Sequence, residues 1–383
     1  MYSQFSQPCP VIFGRGAIAA LGEKIAELGC KKVLCVYESG VEQAGIADRA
    51  IKIIRDAGAD VVSFKGVVPD PTTDVVDEGG AIARRENADC IVGIGGGSSM
   101  DTAKAISILL TKPGQAKDYV LAAPIFVDTK TPVILVPTTA GTGSEVTRVA
   151  VITRPDVNAK WSVFVNTTCA IVDPELTLTL PRSQTATTGM DALSHAMEAM
   201  TGKNPNPHSD LVGEAAIRKI AKNLVTAYND PSNIEARSEM SLAATFAGLA
   251  FNDPITHVGH AIADALSCRY HTPHGYNCAI ALPAAMRLVA PAVPEKMRVI
   301  AEAMGAALNG SETGEELGRI VADKIRELMR QIDLKPLSQL GCKREDVLAL
   351  APDVVANHLS SYCPVPVTED VARDLLAEVY DAY

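Results

Sequence analysis

The stretch CIVGIGGGSSMD, residues 90–101, decides the fold. It begins as a short apolar run typical of a buried strand, continues into three glycines, and opens a helical pattern at Ser98. Glycines let the backbone approach a pyrophosphate, and the N–H groups of a helix start point at such a ligand. A plain strand-to-helix turn is the alternative, but three adjacent glycines after an apolar strand favour phosphate binding. The stretch therefore predicts a dinucleotide-binding α/β unit.

The same alternation of strands and helices continues on both sides of this stretch. Lys32–Tyr37, Asp60–Phe64 and Pro132–Pro137 are typical of buried strands, whereas Val41–Ala57 and Thr73–Arg85 have helical patterns. Strands that alternate with helices pair in parallel through crossover connections. We therefore expect an α/β, Rossmann-like N-terminal domain, with a more irregular β section towards its end.

The pattern changes near Pro181. From Ser183 onward the chain is rich in Ala and Leu, has helical periodicity and contains almost no β-branched runs. We predict an α/β dinucleotide-binding domain over residues 1–181 and an all-helical, metal-binding domain over residues 182–383. Ligands commonly bind in the cleft between two such domains.

Composition excludes several classes of protein. The 383 residues are 47% hydrophobic and 21% charged, which fits packed domains and not a disordered chain. A net charge of −10 argues against nucleic acid and against an anionic membrane surface. No apolar run approaches the length of a membrane span, and the start lacks the pattern of a signal peptide. The nine cysteines form no CxxC pair, which indicates reduced, buried thiols and a cytoplasmic protein.

A second glycine loop competes for the pyrophosphate. Residues 14–19, GRGAIA, match GxGxxA, and Glu38 lies about twenty residues further on, as the dinucleotide fingerprint requires. The preceding Val11–Phe13 is short for a central strand, and Arg15 occupies the turn, so Gly95–Asp101 is the better pyrophosphate site. In either case Glu38 is placed to accept hydrogen bonds from ribose hydroxyls and to repel a 2′-phosphate, which favours NAD over NADP. An ordinary exposed acid is the alternative for Glu38.

A further small-residue loop, PTTAGTGSE at residues 137–145, follows the strand that ends at Pro137. Its hydroxyls and backbone amides suit contacts with phosphate and nicotinamide. Taken alone it fits a plain Thr/Gly turn, but beside the first loop it indicates the other side of a cofactor site.

Asp191 and the histidines indicate a metal site. Asp191 and His195 are spaced i, i+4, which places both on one face of a helix. Of the seven histidines, four fall within eighteen residues, namely His257, His260, His271 and His274. One carboxylate and three imidazoles suit Fe²⁺, Zn²⁺, Mn²⁺ or Ni²⁺. A helix salt bridge and hydrogen-bonded structural histidines are the alternative, and spacing alone leaves His257 and His271 open as ligands.

Six motifs run nearly the length of the chain. They are Phe13-Gly14-x-Gly16, Pro69-x-Pro71-Thr72, GGGSSMDTAKA at 95–105, PTTAGTGSE at 137–145, GMDALSHAMEA at 189–199 and TPHG at 272–275. Together they resemble the iron-containing (group III) alcohol dehydrogenases, the family of lactaldehyde reductase and 1,3-propanediol dehydrogenase.

The resemblance implies a dehydroquinate-synthase-like fold with cofactor and metal in the interdomain cleft, and a homodimer or larger assembly. It implies hydride transfer between NAD(H) and a short-chain alcohol or aldehyde at a divalent metal, Fe²⁺ being the first expectation. The implied metal ligands are Asp191, His195, His260 and His274. The implied cofactor contacts are Gly96, Gly97, Ser98, Asp101, Thr138, Thr139, Val151 and Lys160, with Glu38 where NAD-preferring members carry Asp.

One position departs from the family pattern. Members usually carry a second histidine four residues after the third ligand, facing the active site and relaying protons, and here that position is Asp264. Many members carry a small or polar residue where His271 stands. Asp264 and His271 are therefore the candidates for the proton relay, and the Asp264 carboxylate also suits a cationic or hydroxylated substrate.

Two other functions compete with the alcohol dehydrogenase. A dehydroquinate-synthase-like lyase uses NAD transiently and a metal on the same fold, but it needs a basic cluster for a phosphorylated substrate, and none accompanies the metal motifs. A non-catalytic relative with a structural metal is the other. Retention of the four implied ligands, the glycine loop and Asp101 argues against it.

Overall fold

The structure is a computed structural model that describes residues 3–204 and 206–383. Within these residues the chain forms two compact units. The first comprises Gln7–Thr139 and Gly143–Leu180 and is called the α/β unit. The second comprises residues 3–6, Ala140–Thr142 and Pro181–Tyr383 and is called the helical unit.

The α/β unit is built on a parallel sheet. Its strands are β1 (Val11–Phe13), β2 (Lys32–Tyr37), β3 (Asp60–Phe64), β4 (Cys90–Gly95), β5 (Val133–Pro137) and β8 (Cys169–Val172). They lie in the order β1-β8-β5-β4-β2-β3, and every neighbouring pair is parallel. The remaining strands, β6 (Val149–Arg154) and β7 (Ala159–Phe164), form a separate antiparallel hairpin.

Helices cover both faces of the sheet, as crossover connections require. They are α1 (Ala20–Leu28), α2 (Ser39–Gln43), α3 (Ile46–Asp56), α4 (Thr73–Arg85) and α5 (Gly97–Thr111). In β2, Val33 and Cys35 join the core that includes α1 and α3, whereas Leu34 and Val36 join the core that includes α4 and α5. This alternation follows from the two-residue period of a strand, and the predicted α/β layering is confirmed.

The single helix predicted over Val41–Ala57 is wrong, because the chain forms two helices there. Gly45 adopts the left-handed conformation with φ of 71° and separates α2 from α3. Apolar residues continue at helical spacing on both sides of the break, so the periodicity does not reveal it.

The helical unit contains no strand within the residues that the structure describes. Its helices are α6 (Arg182–Thr201), α7 (Pro207–Asn229), α8 (Ile234–Phe251), α9 (Val258–Tyr270), α10 (His274–Val289), α11 (Pro294–Ala303), α12 (Gly314–Gln331), α13 (Arg344–Leu348), α14 (Ala351–Ala356) and α15 (Glu369–Asp381). One core of mainly Ala, Ile, Leu and Met side chains joins them, which confirms the predicted all-helical character. Among the described helices, none combines the length and the hydropathy that a membrane span needs.

Helix α6 lies at the centre of this unit. It packs against α7, α8 and α10, and every residue from Gly189 to Thr201 is buried. Buried polar side chains on such a helix need partners inside the protein. On α6, the buried polar residues whose partners define the candidate site are Asp191, His195 and Glu198.

Candidate metal centre and cofactor-binding loops

One carboxylate oxygen of Asp191 faces three imidazole rings. Asp191 Oδ1 lies 3.8 Å from His195 Nε2, 3.9 Å from His260 Nε2 and 3.8 Å from His274 Nε2. Helix α6 supplies Asp191 and His195 one turn apart, α9 supplies His260, and α10 begins at His274. The structure thus brings together the four residues that the resemblance implies as ligands.

The start of α10 can approach α6 closely because residue 275 is glycine. A Cβ atom at Gly275 would lie 2.3 Å from the Thr187 carbonyl oxygen and 3.2 Å from Asp191 Cβ. Any larger residue would push the two helices apart. Gly275 therefore keeps His274 within reach of Asp191.

These donors fit a divalent metal. Two donors bonded at about 2.0–2.3 Å to one first-row ion lie less than about 4.5 Å apart, and the separations of 3.8 and 3.9 Å meet this limit. Among the residues that the structure describes, Asp191 Oδ1 and His260 Nε2 are buried and have no hydrogen-bond partner. Leaving such groups unsatisfied costs about 1–3 kcal/mol each, and a bound cation would satisfy both.

Glu198 orients His260 from behind. It is completely buried, and its carboxylate accepts the backbone N–H of His257 (2.6 Å) and of His260 (3.1 Å). Glu198 Oε2 also lies 3.1 Å from His260 Nδ1. A proton on Nδ1 leaves the lone pair on Nε2, the atom that faces Asp191, and this arrangement is typical of metal-binding histidines.

The pKa values of His195, Asp191 and Glu198 suit metal binding, whereas that of His260 is raised, because the neighbouring carboxylates outweigh the effect of burial. Burial, assisted by repulsion from the neighbouring imidazoles, holds the pKa of His195 well below its usual range, so this ring is neutral near pH 7. Burial raises the pKa of Asp191 to about 6. Burial also opposes the charge on Glu198, but the nearby His257 and His260 and the donated hydrogen bonds keep its pKa below the usual value. Neutral imidazoles and ionised carboxylates are the forms that bind metals.

We expect Glu198→Gln to weaken metal binding by about 10–100-fold, the usual effect of losing an outer partner of a metal-binding histidine. Gln has one acceptor oxygen for the three donors that Glu198 serves. Competition with a chelating dye measures the affinity. Glu239→Gln, at a half-exposed partner of Lys219, is the matched control, and equal affinities in the two variants would contradict this role.

The structure places one further potential metal donor, Cys278, in the cluster, and no sequence motif pointed to it. Asp191, His260, His274 and Cys278 each offer a donor atom within 4.8 Å of the other three. Cys278 lies one turn after His274 on α10, and that i, i+4 spacing is the sequence signal that could have identified it. Burial raises the pKa of its thiol well above the usual value in the absence of a cation.

The rival histidines lie elsewhere. His257 is fully buried with Nε2 at 2.9 Å from the Thr201 hydroxyl, so its ring is engaged away from Asp191. His271 is exposed and ends α9 in the left-handed conformation with φ of 53°. No hydrogen bond or ion pair joins the His271 ring to the cluster in the described part of the chain.

Asp264 stands beside the cluster, one turn after His260. Its Oδ2 accepts a hydrogen bond from Asn357 Nδ2 at 3.1 Å, and its Oδ1 lies 3.9 Å from His274 Nδ1. The carboxylate thus faces the outer nitrogen of His274, while Nε2 of the same ring faces Asp191. Asp264 is placed to hold a proton next to a metal-binding ring.

In the α/β unit, the glycine loop lies at the carboxyl end of β4, between β5 and β2. The connection after β2 leads to β3 on one side of this point, whereas the connection after β4 leads to β5 on the other side. Ligands of open parallel sheets bind where successive connections diverge in this way. The amide of Thr138 donates to the Gly95 carbonyl (2.9 Å), so the loop after β5 adjoins the glycine loop. A Cβ at Gly96 would lie 3.3 Å from Thr139 Cγ2. Gly97 and Ser98 form the first turn of α5, where the N–H groups have no acceptor within the helix.

Asp101 connects α5 to the rest of the cofactor region. Its carboxylate accepts the Ser144 hydroxyl at 2.6 Å and the Val151 amide at 3.0 Å. The completely buried Lys104 lies 3.8 Å from Asp101 Oδ1 and donates to Ser144 and to the Val149 carbonyl. Burial lowers the pKa of Lys104 to about 8. Both oxygens of Asp101 are thus engaged within the protein, which fixes Val151 relative to the glycine loop.

The competing loop at residues 14–19 has its amides engaged. Asp173 accepts the N–H of Gly16 at 3.1 Å and of Ile18 at 3.2 Å. This carboxylate occupies the place that a phosphate would need, and β1 is an edge strand. The preference for Gly95–Asp101 as the pyrophosphate loop therefore has a structural reason.

Three further predicted cofactor contacts lie directly after β2 and on the hairpin of β6 and β7. Glu38 follows β2, the neighbour of β4, and burial raises its pKa. Lys160 is on β7 and forms an ion pair with Asp70 (2.7 Å). Val151 is on β6 and is partly exposed.

Comparisons with known proteins agree with this architecture. Residues 8–174 match the family described as iron-containing alcohol dehydrogenase, and residues 185–380 match the C-terminal domain of the same family. The chain is similar to a 1,3-propanediol oxidoreductase of known structure, with a TM-score of 0.94, 35% identity and coverage of 99% of this chain and 100% of the other. This likeness confirms the dehydroquinate-synthase-like fold.

Two curated relatives are similar over nearly the whole chain. A choline dehydrogenase from Bacillus subtilis is 34% identical over 99% of this chain and 94% of its own length. An NAD-dependent methanol dehydrogenase from Bacillus methanolicus is 35% identical over 97% of this chain and 98% of its own. Relatives at nearly equal identity are thus named for different alcohols, and overall similarity does not select a substrate.

Proposed function

This chain belongs to the iron-containing alcohol dehydrogenase family and is an NAD-dependent alcohol oxidoreductase, and we propose that it acts on short-chain alcohols and aldehydes at a metal held by Asp191, His195, His260 and His274. The observation that carries the site assignment is the convergence of three imidazoles on one buried carboxylate oxygen.

The chain's own residues divide the work between binding and proton transfer. When bound, the metal supplies Lewis acidity to the substrate oxygen, and the nicotinamide exchanges the hydride. The glycine loop and the first turn of α5 bind the pyrophosphate through backbone amides. Thr138 and Thr139 border that loop, and Asp101 keeps Val151 in place. Burial of the cluster excludes water from the reacting atoms.

We assign the proton path to Asp264. Its carboxylate lies beside His274 and is held by Asn357, whereas the side chain of His271 is exposed. We infer that in alcohol oxidation the hydroxyl proton reaches solvent along the side of the cluster where Asp264 lies, and that in aldehyde reduction a proton returns by the same route.

The substrate is identified by NADH formation on a panel of methanol, short primary alcohols, 1,3-propanediol and choline, each with defined divalent metals. We expect net NADH production with at least one of them. A well-folded, metal-loaded protein that turns over none of the alcohols or the matching aldehydes would favour the non-catalytic alternative. NAD that is required but never released as NADH would favour the lyase.

We expect NAD to be preferred over NADP because Glu38 would repel a 2′-phosphate. Glu38→Ser should reduce the preference for NAD by about tenfold, measured as the ratio of kcat/KM with NAD to kcat/KM with NADP. The reason is that one nearby like charge contributes roughly 1–2 kcal/mol at a half-buried position. Glu42→Gln, four residues further on and paired with Lys65, is the control. An unchanged ratio in Glu38→Ser would contradict the assignment.

We place the enzyme in the cytoplasm as a homodimer or larger assembly. All nine cysteines are free thiols and eight of them are buried, which suits a reducing compartment. Sedimentation velocity of the metal-loaded protein measures the assembly.

A further inference from the structure

Cys278 is placed where a fifth protein donor would lie. Its side chain is buried on α10, and Sγ lies 3.4 Å from His274 Nε2. Asp191 and His260 complete a set whose donor atoms all lie within 4.8 Å of one another. His195 does not belong to this tightest set, although it is 3.8 Å from Asp191 Oδ1. The sulfur thus belongs to the set of donor atoms that all lie within 4.8 Å of one another.

Two further atoms point to a cation at this place. Asp191 Oδ1 and His260 Nε2 are buried and have no hydrogen-bond partner within residues 3–204 and 206–383. The cysteine is therefore not an isolated thiol but one side of a group of donors that converge on one point. A sulfur and a nitrogen bonded to one Zn²⁺ at about 2.3 and 2.0 Å lie less than about 4.3 Å apart, and 3.4 Å is within that limit.

The alternative is that Cys278 serves only as a hydrogen-bond donor to His274 or to Asp191. That role competes with metal binding. Once His274 Nε2 binds a metal, its lone pair no longer accepts the S–H proton, and a metal on Asp191 Oδ1 takes the one carboxylate oxygen that faces the imidazoles. A buried thiol among occupied donors keeps the metal itself as its best partner.

We propose that Cys278 Sγ is a ligand of the metal in this chain and that it makes the centre prefer Zn²⁺ or Co²⁺ to Fe²⁺. The proposal rests on the metal site of the proposed function and concerns which donors and which metal compose it. The Sγ–metal bond forms as the S–H bond breaks, the proton is released to solvent, and no oxidant or reductant takes part. Thiolates are softer donors than carboxylates or imidazoles and select zinc among the common divalent ions.

Absorption spectroscopy of the full chain loaded with Co²⁺ tests the ligand directly. A thiolate bound to Co²⁺ gives an intense near-ultraviolet charge-transfer band, which nitrogen and oxygen ligands do not give. We expect this band in the wild-type protein and in Cys342→Ser, a buried cysteine of the same unit. We expect at least about a tenfold loss of the band in Cys278→Ser, with the weaker visible cobalt bands retained.

X-ray absorption at the zinc edge of the wild-type protein keeps the test independent of any variant. We expect one sulfur neighbour at about 2.3 Å. A zinc shell with only nitrogen and oxygen, or an unchanged cobalt band in Cys278→Ser, would overturn the proposal.

The choice of metal is measured by competition. We expect Cys278→Ser to lower the ratio of Zn²⁺ to Fe²⁺ affinity by about tenfold or more, whereas Cys342→Ser leaves it unchanged. An unchanged ratio in Cys278→Ser would overturn the selectivity part of the proposal. A sulfur signal in a protein that oxidises no alcohol would refute the proposed function but would leave Cys278 as a metal ligand. Alcohol oxidation without a sulfur signal would refute Cys278 as a ligand but would leave the proposed function intact.

Discussion

Asp191→Asn is expected to abolish metal binding and alcohol oxidation together, with kcat/KM falling at least about a thousandfold. One oxygen of Asp191 faces all three imidazoles, so its loss removes the anionic donor that every predicted ligand surrounds. A single outer partner of a metal ligand is already worth about 10–100-fold, and an inner, charged donor is worth more. Metal content by elemental analysis and NADH-linked initial rates measure the two effects.

The stability of the metal-free protein separates this role from a merely structural one. The pKa of Asp191 is raised from 3.8 to about 6 in the folded chain, chiefly by burial. A carboxyl group with a raised pKa destabilises the fold as pH rises from the unfolded value through the folded one, and the loss is complete above about pH 6. At pH 8, metal-free Asp191→Asn should therefore unfold at the same temperature as metal-free wild type or at a higher one.

The matched control is Asp333→Asn. Asp333 lies in the helical unit with φ of 55°, a conformation that Asn also tolerates. It should keep metal, activity and stability. If Asp191→Asn retained a full complement of metal, or unfolded far below metal-free wild type, Asp191 would be a structural residue.

Gly95→Ala is expected to weaken NAD(H) binding by about a hundredfold while leaving metal content unchanged. Gly95 adopts φ of 147°, and a Cβ there would lie 2.5 Å from Ser99 Oγ and 2.8 Å from Ser99 Cβ. The first turn of α5 must then shift, which misplaces the amides that we propose as the pyrophosphate site. Two charge-assisted hydrogen bonds at about 1.5–3 kcal/mol each account for this magnitude.

Energy transfer to NADH from Trp161, the single tryptophan, measures the affinity. Gly58→Ala is the control, because Gly58 has φ of 88° in the same unit but faces open space. Both variants should lose roughly 1 kcal/mol or more of stability from backbone strain, and only Gly95→Ala should lose cofactor. Equal affinities in the two variants would remove Gly95 from the cofactor site.

Much of the α/β architecture follows from local patterns in the sequence. Asp60–Phe64 and Thr73–Arg85 form the predicted elements with the predicted bounds. These elements are bounded by turn residues and have an unambiguous period. The break at Gly45 was not predicted, because the apolar period continues across it and a single glycine does not reveal its conformation.

The site was less accessible from the sequence than the fold. Helical spacing pairs Asp191 with His195, but spacing alone does not separate His257 from His260. Contacts between residues far apart in the sequence distinguish the two histidines, because Thr201 engages the ring of His257 while Glu198 orients His260. Cys278 lies in an apolar run and therefore has the pattern of any buried thiol.

Distant contacts also explain the choice between the two glycine loops. Gly16 and Gly96 both follow strands, and a helical segment begins directly after each. Asp173, 157 residues after Gly16, is what engages the amides of the first loop. A sequence pattern contains no information on such a pairing.

We propose that alcohol oxidation by this chain depends on a metal bound by Asp191, His195, His260 and His274. The most direct measurement removes the metal with a chelator, dialyses the chelator away, and follows NADH formation as a divalent metal is returned in known amounts. We expect no activity in the metal-free protein and a linear recovery that saturates at one metal per chain. Full activity in the metal-free protein, or no recovery while the fold stays intact, would show that the reaction does not depend on a metal at this site.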